Sequence, residues 1–437
     1  MNLSQLKSGK WIVPALFVLL HVFFYLFAIN NGHPFTKDSS EYLWQSFNIA
    51  NHSSFYCGDL NAPIVEAWFN QRPPGYGFFL SILGINQIHF NYNLLLVAQL
   101  LMSLLNGVVV YRFVKLLAGD GFSLWWLLIP LIGFPTQFVY SGMVMSEILF
   151  QTLLLLSVYF IAILLKRGEM QFLWWSQWCI AASFLVKPVA WMFPFVALVS
   201  FLIYWFNKKV KLMAIVTFAI PFTAIIMMFN YSHTKTGVYE FSSIQRKLMI
   251  NYNSFAILSD AQGKENAVRT ISNLQDSVSK FNYIDKCNSI DAFNKSVLKH
   301  NVLSAVKLEC IGFMKFFLGH SRWDVSFFLN GKEPDSYNSN INSSDVTVKT
   351  PWMIYFVLNI IVNLIVFAAF MKFLFSKDLP VKLRGCIGSI VLYMALATGP
   401  SAAARFRLPV FPILTVTFVV VAHRMTRKLP ESAEFAD

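Results

Sequence analysis

Apolar residues run through this chain in long blocks, separated by short polar segments. A block of about 20 apolar residues can cross a bilayer as a helix. Ten spans are predicted: 11–29, 92–116, 121–140, 143–165, 171–187, 188–206, 212–230, 351–375, 385–402 and 407–423. The first has no small-residue cleavage site behind it, so it reads as an uncleaved span rather than a signal peptide. Residues 39–51 place Leu43, Phe47 and Ala50 on one side, which predicts a short helix lying in the interface. The apolar run 76–86 is too short to span. Segment 231–350 has ordinary polarity, with helical spacing at 265–282 and 291–318 and an Asn- and Ser-rich turn run at 338–344. The expected fold is an all-α polytopic membrane protein of about 10 transmembrane helices (range about 9–12), with interfacial helices on the outer face. Its parts are an N-terminal transmembrane module, 1–230, with a first external loop at 30–75; a small, mostly helical external domain, 231–350; and a C-terminal transmembrane module with a cytoplasmic tail, 351–437.

Composition narrows the class further. Of 437 residues, 56% are hydrophobic and 13% charged, where a soluble domain carries roughly 25% charged residues. There are 44 Phe. A soluble core of this size cannot bury so much apolar side chain, which excludes an ordinary soluble enzyme, a disordered chain, a coiled coil and a disulfide scaffold. The net charge of +13 would ordinarily suggest nucleic acid, but its location explains it otherwise. With the N-terminus in the cytoplasm, the cytoplasmic segments hold 16 basic residues against six acidic ones, a net of +10. Lys7, Lys10, Lys208, Lys209, Lys211, Arg427 and Lys428 are among them. Most of the excess is therefore a positive-inside topology signal, with both termini cytoplasmic, and no nucleic-acid partner is expected. The two halves show no repeat, which counts against an inverted-repeat transporter. Cys287 and Cys310 lie in the external domain, where a disulfide between them, or one using Cys57, stays open. No Cys/His spacing resembles a zinc site.

The chemistry lies in polar residues found where spans end. Asp38 follows the first span, and Asp38 or Ser39 could cap the interfacial helix with Glu41 in its first turn. The same carboxylates could equally serve in a reaction. In Arg72-Pro73-Pro74-Gly75-Tyr76, two prolines fix an extended backbone and remove two amide donors. That segment is either a plain loop-to-helix turn or a rigid mount for Arg72 as a phosphate ligand. Glu147 opens a span, where the helix dipole favours a carboxylate and an ionisable group also marks function. Lys187 joins two spans with almost no loop. Arg405 and Arg407 precede the final span on the face where positive-inside bias disfavours them, and in extended chain their i, i+2 spacing puts both on one side. Together these offer carboxylates to take a proton and cations to hold a lipid phosphate.

In this order the motifs resemble the GT-C superfamily of membrane glycosyltransferases. The likeness is to bacterial relatives of protein O-mannosyltransferases and of the lipid A aminoarabinose transferase (family 39-type). The landmarks are the acidic first loop Asp38-Ser39-Ser40-Glu41-Tyr42, Arg72-Pro73-Pro74-Gly75-Tyr76, Ser146-Glu147, and Arg405-Phe406-Arg407-Leu408-Pro409 with Pro412. A weaker match covers Thr236-Gly237, Phe241-Ser242-Ser243 and Asn251-Tyr252-Asn253. Many relatives carry adjacent acids in the first loop, whereas Asp38 and Glu41 are three apart, and Arg72 stands where the double-proline segment of the characterised type starts with Lys.

The resemblance implies a GT-C-like fold and an inverting transfer from a polyprenyl-phosphate-linked (undecaprenyl-type) sugar donor. The acceptor would be a cell-envelope glycan, lipid or protein. It makes Asp38 the general base, with Glu41 beside it and Glu147 near the acceptor. Arg72, Lys187, Arg405 and Arg407 would bind the donor phosphate, and Tyr42 and Tyr76 would line the substrate pocket. No cofactor and no metal are expected. The expected location is a bacterial inner membrane, among its lipids, with the site on the periplasmic face. The competing readings are a flippase or transporter of lipid-linked saccharides, and a polymerase or ligase of them.

Overall fold

The computed structural model describes residues 10–85, 92–205, 215–331, 346–401 and 404–426. The turn run 338–344 lies outside them, as do Lys7, Lys208, Lys209, Lys211, Arg427 and Lys428. Among the described residues there is no strand. The chain is an all-α, multi-pass membrane protein, and among the described residues five helices are long and apolar enough to cross a bilayer: Ile12–Asn30, Asn93–Ala118, Glu147–Arg167, Met353–Phe375 and Ala404–Thr426.

In chain order the helices are α1 (Ile12–Asn30), α2 (Lys37–His52), α3 (Gly75–Ile82), α4 (Asn93–Ala118), α5 (Leu128–Gly133), α6 (Thr136–Ser141), α7 (Glu147–Arg167), α8 (Gln171–Val186), α9 (Phe193–Trp205) and α10 (Ala219–Thr236). There follow α11 (Ile244–Leu248), α12 (Phe255–Gln262), α13 (Lys264–Val278), α14 (Tyr283–His300), α15 (Val302–Leu318), α16 (Arg322–Asn330), α17 (Val346–Phe375), α18 (Val381–Ala397), α19 (Ala404–Arg407) and α20 (Phe411–Thr426). Met353–Phe375 is the apolar part of α17, and α19 and α20 are joined by the tight turn Leu408–Val410.

The other predicted spans are shorter or broken. Block 121–140 is cut into a turn at Leu124–Leu127, then α5 and α6, with Pro135 between the two helices. Proline lacks an N–H and disfavours helical backbone in the residue before it. The carbonyl of Gly133, freed by this break, accepts a hydrogen bond from Asn359 Nδ2 of α17 at 2.5 Å. Block 171–187 becomes the 16-residue α8, and 188–206 becomes a turn at Pro188–Ala190 followed by α9. The helical stretch predicted at 291–318 divides at Asn301 into α14 and α15.

Apolar side chains gain little by leaving lipid for one another, so packing and interhelical hydrogen bonds hold such a bundle together. Its centre is the last span, of which 94% is buried, whereas the first span is only 17% buried. A buried polar chain crosses the bundle: His21 of α1 pairs with Ser103 of α4, and Gln137 of α6 donates to Ser103. Gln151 of α7 donates to Gln137 and to the carbonyl of Leu408, while Asn106 of α4 donates to Gln151. The five cysteines are free, Cys287 buried and Cys310 exposed.

Candidate active site

The start of α2 decides where Asp38 points. Thr36 is the N-cap, and it forms a reciprocal capping box with Ser39. The cap is therefore neither Asp38 nor Ser39, and Asp38 is left in the first turn with its carboxylate unused by the helix end. Ser39 Oγ also donates to the carbonyl of Val144 (2.8 Å), and the amide of Val144 donates to Pro34 O (2.8 Å). Tyr42 and Ser146 share a hydroxyl hydrogen bond of 2.9 Å. These bonds, through Val144 and Ser146, fix α2 and the residues before it against the segment that leads into Glu147 at the start of α7.

Arg72 is seated from the other side. Gln45 of α2 donates to the carbonyl of Arg72 (2.7 Å), and Ser242 donates to that of Gln71 (2.8 Å). The double proline then leads into Gly75, where a Cβ would come within 2.7 Å of the carbonyl oxygen of Leu185. Only glycine lets the chain lie this close to the end of α8, two residues before Lys187.

Six charges meet at this end of the spans. Asp38 Oδ1 accepts from Arg72 Nη2 (2.7 Å), and Asp38 Oδ2 accepts from Arg405 Nη2 (2.9 Å). Arg72 Nε donates to Glu41 (2.6 Å), which also accepts from Gln71 (2.5 Å). Glu147 Oε1 accepts from both Arg405 Nε (2.5 Å) and Lys187 Nζ (2.9 Å). Three carboxylates thus face three cations. The side chain of Glu147 is fully buried, and its second oxygen has no partner among the described residues. Asp38 is the most open of the six, at 27% exposure. Burial would raise its carboxyl, but the Arg405 and Arg72 guanidiniums outweigh burial and hold it well below the usual carboxylate range.

Five distant parts of the chain therefore bring Asp38, Glu41, Arg72, Glu147, Lys187 and Arg405 together. Arg407 is not among them. Its buried guanidinium donates to the carbonyls of Phe317 and Gly319 and lies 4.7 Å from the centre of the Phe134 ring. The shared face expected for Arg405 and Arg407 required extended chain, but residues 404–407 form a helical turn. Two residues along a helix are about 200° apart, so the two arginines diverge. Tyr42 is buried beneath the cluster, with Arg72 5.2 Å from its ring centre, and burial raises its hydroxyl to about 12. Tyr76 lies deeper, fully buried, donating to Gln99 (2.9 Å).

Sequence reading missed the residues that hold the cluster from behind. Gln71 and Gln45 are two, and only the adjacency of Gln71 to Arg72 hinted at it. Another is the pair Tyr140 and Asp324. The Arg405 guanidinium lies 5.8 Å from the Tyr140 ring, and Tyr140 donates to Asp324 Oδ1 (2.8 Å). Burial pushes the Asp324 carboxyl up to about 6, against the lowering effect of the Tyr140 bond.

No family model matches the chain, and no curated protein matches it. Among solved structures it is similar to the archaeal oligosaccharyltransferase AglB from Archaeoglobus fulgidus, solved with an inhibitory peptide and a dolichol-phosphate. Identity is 13% and the TM-score 0.49, over 99% of this chain and 53% of that one. It is also similar to ArnT from Cupriavidus metallidurans in the apo state, with 10% identity and a TM-score of 0.40, over 95% of this chain and 77% of that one. The chain spans about half the length of the archaeal protein. At this level of likeness no residue role passes from either to this chain.

Proposed function

We propose that this chain is a membrane glycosyltransferase. It moves a sugar from a polyprenyl-phosphate-linked donor to an acceptor at the outer face of the membrane, with inversion. The observation that carries this reading is the six-charge cluster, in which a partly open carboxylate, Asp38, lies between two guanidiniums. Such a site suits a reaction that takes a proton and releases a phosphate.

In the proposed reaction Asp38 accepts the proton of the acceptor hydroxyl. The hydroxyl oxygen bonds to the anomeric carbon from the face opposite the phosphate. The bond between that carbon and the phosphate oxygen breaks, its electron pair stays on the oxygen, and polyprenyl phosphate leaves. Arg72, Arg405 and Lys187 hold the growing charge, and no divalent metal is required. While both arginines pair with Asp38, its carboxylate is a weak base. A donor phosphate competes for their N–H groups, which frees Asp38 as the substrates assemble. Glu147, fully buried, is assigned to holding Arg405 and Lys187 in place, and Glu41 to orienting Arg72. Arg407, bonded to two carbonyls, is left out of phosphate binding.

The proposed setting is a bacterial inner membrane, with the site facing the periplasm and the termini in the cytoplasm. The proposed acceptor is a cell-envelope glycan, lipid or protein. Mass spectrometry of envelope glycans and lipids from cells with the protein, without it, and with Asp38→Asn tests the reading and names sugar and acceptor. One glycoform should vanish both without the protein and with Asp38→Asn. An unchanged profile in cells lacking the protein overturns the function, and a normal profile with Asp38→Asn overturns the base.

A further inference from the structure

Another ionic cluster lies in segment 231–350, and no step of the proposed reaction uses it. Glu240 is its hub. One oxygen of Glu240 accepts from Tyr283 of α14 (2.9 Å) and from Asn70 Nδ2 (3.1 Å), and the other accepts from Arg246 Nη1 of α11 (2.5 Å). The remaining guanidinium nitrogens of Arg246 donate to the two oxygens of Asp291 of α14, at 3.0 and 3.1 Å. The side chains of Glu240 and Arg246 are 10% and 13% exposed, whereas Asp291 is open. A carboxylate placed so deep needs donors to stay ionised, and Tyr283, Asn70 and Arg246 supply them.

The hub grips the approach to Arg72. Asn70 is fully buried two residues before Arg72, and its Nδ2 also donates to Ser232 of α10 (2.6 Å). The chain beyond Glu240 runs beside the chain before Arg72. Ser243 N donates to the carbonyl of Asn70 (3.3 Å), Ser243 Oγ to that of Ala67 (2.6 Å) and Ser242 Oγ to that of Gln71 (2.8 Å). Gln45 holds the carbonyl of Arg72 itself. The carbonyls of residues 70, 71 and 72 are thus held in succession, and the side chain of residue 70 is pinned to Glu240. The Arg72 guanidinium follows this backbone into its place between Asp38 and Glu41.

We infer that Glu240 is a positioning residue for Arg72: through Asn70 it ties the helices of segment 231–350 to the loop that aims this guanidinium. Among the described residues no bond joins Glu240 to Asp38, Glu41 or Arg72, so its effect passes through residues 70–72. The consequence for a phosphate bound by Arg72 rests on the function proposed above, whereas the constraint on Arg72 does not.

The test is a pair of double-variant cycles on the full-length protein in lipid nanodiscs. The first reads affinity for undecaprenyl phosphate. Glu240→Ala should weaken it about five- to tenfold, the worth of about one hydrogen bond lost through misplacement. In an Arg72→Ala background it should weaken it no further, since the group it positions is gone. A merely structural role would act equally with and without Arg72. Asp291→Ala opens the exposed half of the same cluster and should leave affinity as in the wild type. The second cycle reads thermal unfolding by Trp fluorescence without ligand. The drop caused by Glu240→Ala should be smaller in the Arg72→Ala background, because part of it is the loosening of the Arg72 bonds to Asp38 and Glu41. Should Glu240→Ala fold poorly, Ser242→Ala removes one bond of the same segment and should behave alike in both cycles. Additivity in either cycle overturns the inference, and it leaves the proposed function standing wherever the wild type binds the lipid and Arg72→Ala does not. A wild type that binds no undecaprenyl phosphate while the unfolding cycle stays coupled overturns the proposed function and supports the positioning of Arg72.

Discussion

Replacing Glu147 by Gln tests the electrostatics of the cluster most directly. The Glu147 side chain is fully buried, and one of its oxygens receives both Lys187 and Arg405. With Gln the balance of three acids and three cations becomes a net +1. Arg405 keeps Asp38 as a partner, whereas Lys187, with its side chain 11% exposed, loses its paired carboxylate. Removing one member of a buried ion pair costs about 3–5 kcal/mol, because the other charge stays buried and uncompensated. Removing both costs far less. Glu147→Gln should therefore destabilise the protein by about 3–5 kcal/mol, and the double variant Glu147→Gln/Lys187→Met should recover about 2–3 kcal/mol of that. Unfolding of the purified protein in mixed micelles against SDS, followed by Trp fluorescence, gives the free energies. A loss below about 1 kcal/mol for Glu147→Gln, or strict additivity of the two substitutions, would refute the claim that this pair is a buried, charge-balanced brace.

Four further outcomes are expected. Arg405→Ala should weaken binding of a polyprenyl phosphate by about ten- to a hundredfold, the worth of a charge-assisted hydrogen bond. Arg407→Ala should lower thermal stability and leave that affinity unchanged in the folded fraction, and equal effects of the two on affinity would contradict their separation. Asp324 has its folded value raised from 3.8 to about 6, so the folded state holds this proton more tightly. Its contribution to stability is full below about pH 4 and is lost as pH rises through about 6. Asp324→Asn still accepts from Tyr140 and stays neutral, so it should gain about 3 kcal/mol at pH 8 and almost nothing at pH 4. A gain independent of pH would contradict the buried carboxyl. Exhaustive chelation with EDTA should leave sugar transfer at its full rate, and a rate lost with EDTA and restored by Mg²⁺ would put a metal in the reaction.

Much of the cluster was legible because polar residues at span ends are costly and therefore conspicuous. Asp38, Arg72, Glu147, Lys187 and Arg405 each stood out against an apolar background. Their convergence was not legible, since it depends on contacts between residues more than 30 positions apart and up to 367 apart. Arg407 was misplaced because a two-residue spacing means one face in a strand and opposite faces in a helix. The cap of α2 was misassigned by two or three residues, because Asp and Ser are somewhat better caps than Thr by residue type, yet the chain enters the helix at Thr36. The block 121–140 looked continuous because hydropathy does not register the break that Pro135 imposes. The polar chain from His21 to Asn106 gave no pattern at all. Its members are single residues on different helices, and only packing pairs them.

The central position of the last span bears on how the molecule is made. Chains emerge from the ribosome from the N-terminal end, so this helix is synthesised after every other span described here. Until it arrives, α4, α7 and α17 have no common surface to close on, and Gln151 has no carbonyl at Leu408 to receive its amide. Arg405 enters on the same segment, the one cation among the described residues that bonds both Asp38 and Glu147. A nascent chain halted before residue 404 holds the carboxylates but neither the bundle centre nor the bridge between them. Closing the bundle and completing the charge cluster are therefore one event, and an incomplete chain keeps Arg72 and Lys187 beside the acids but lacks the arginine that links Asp38 to Glu147.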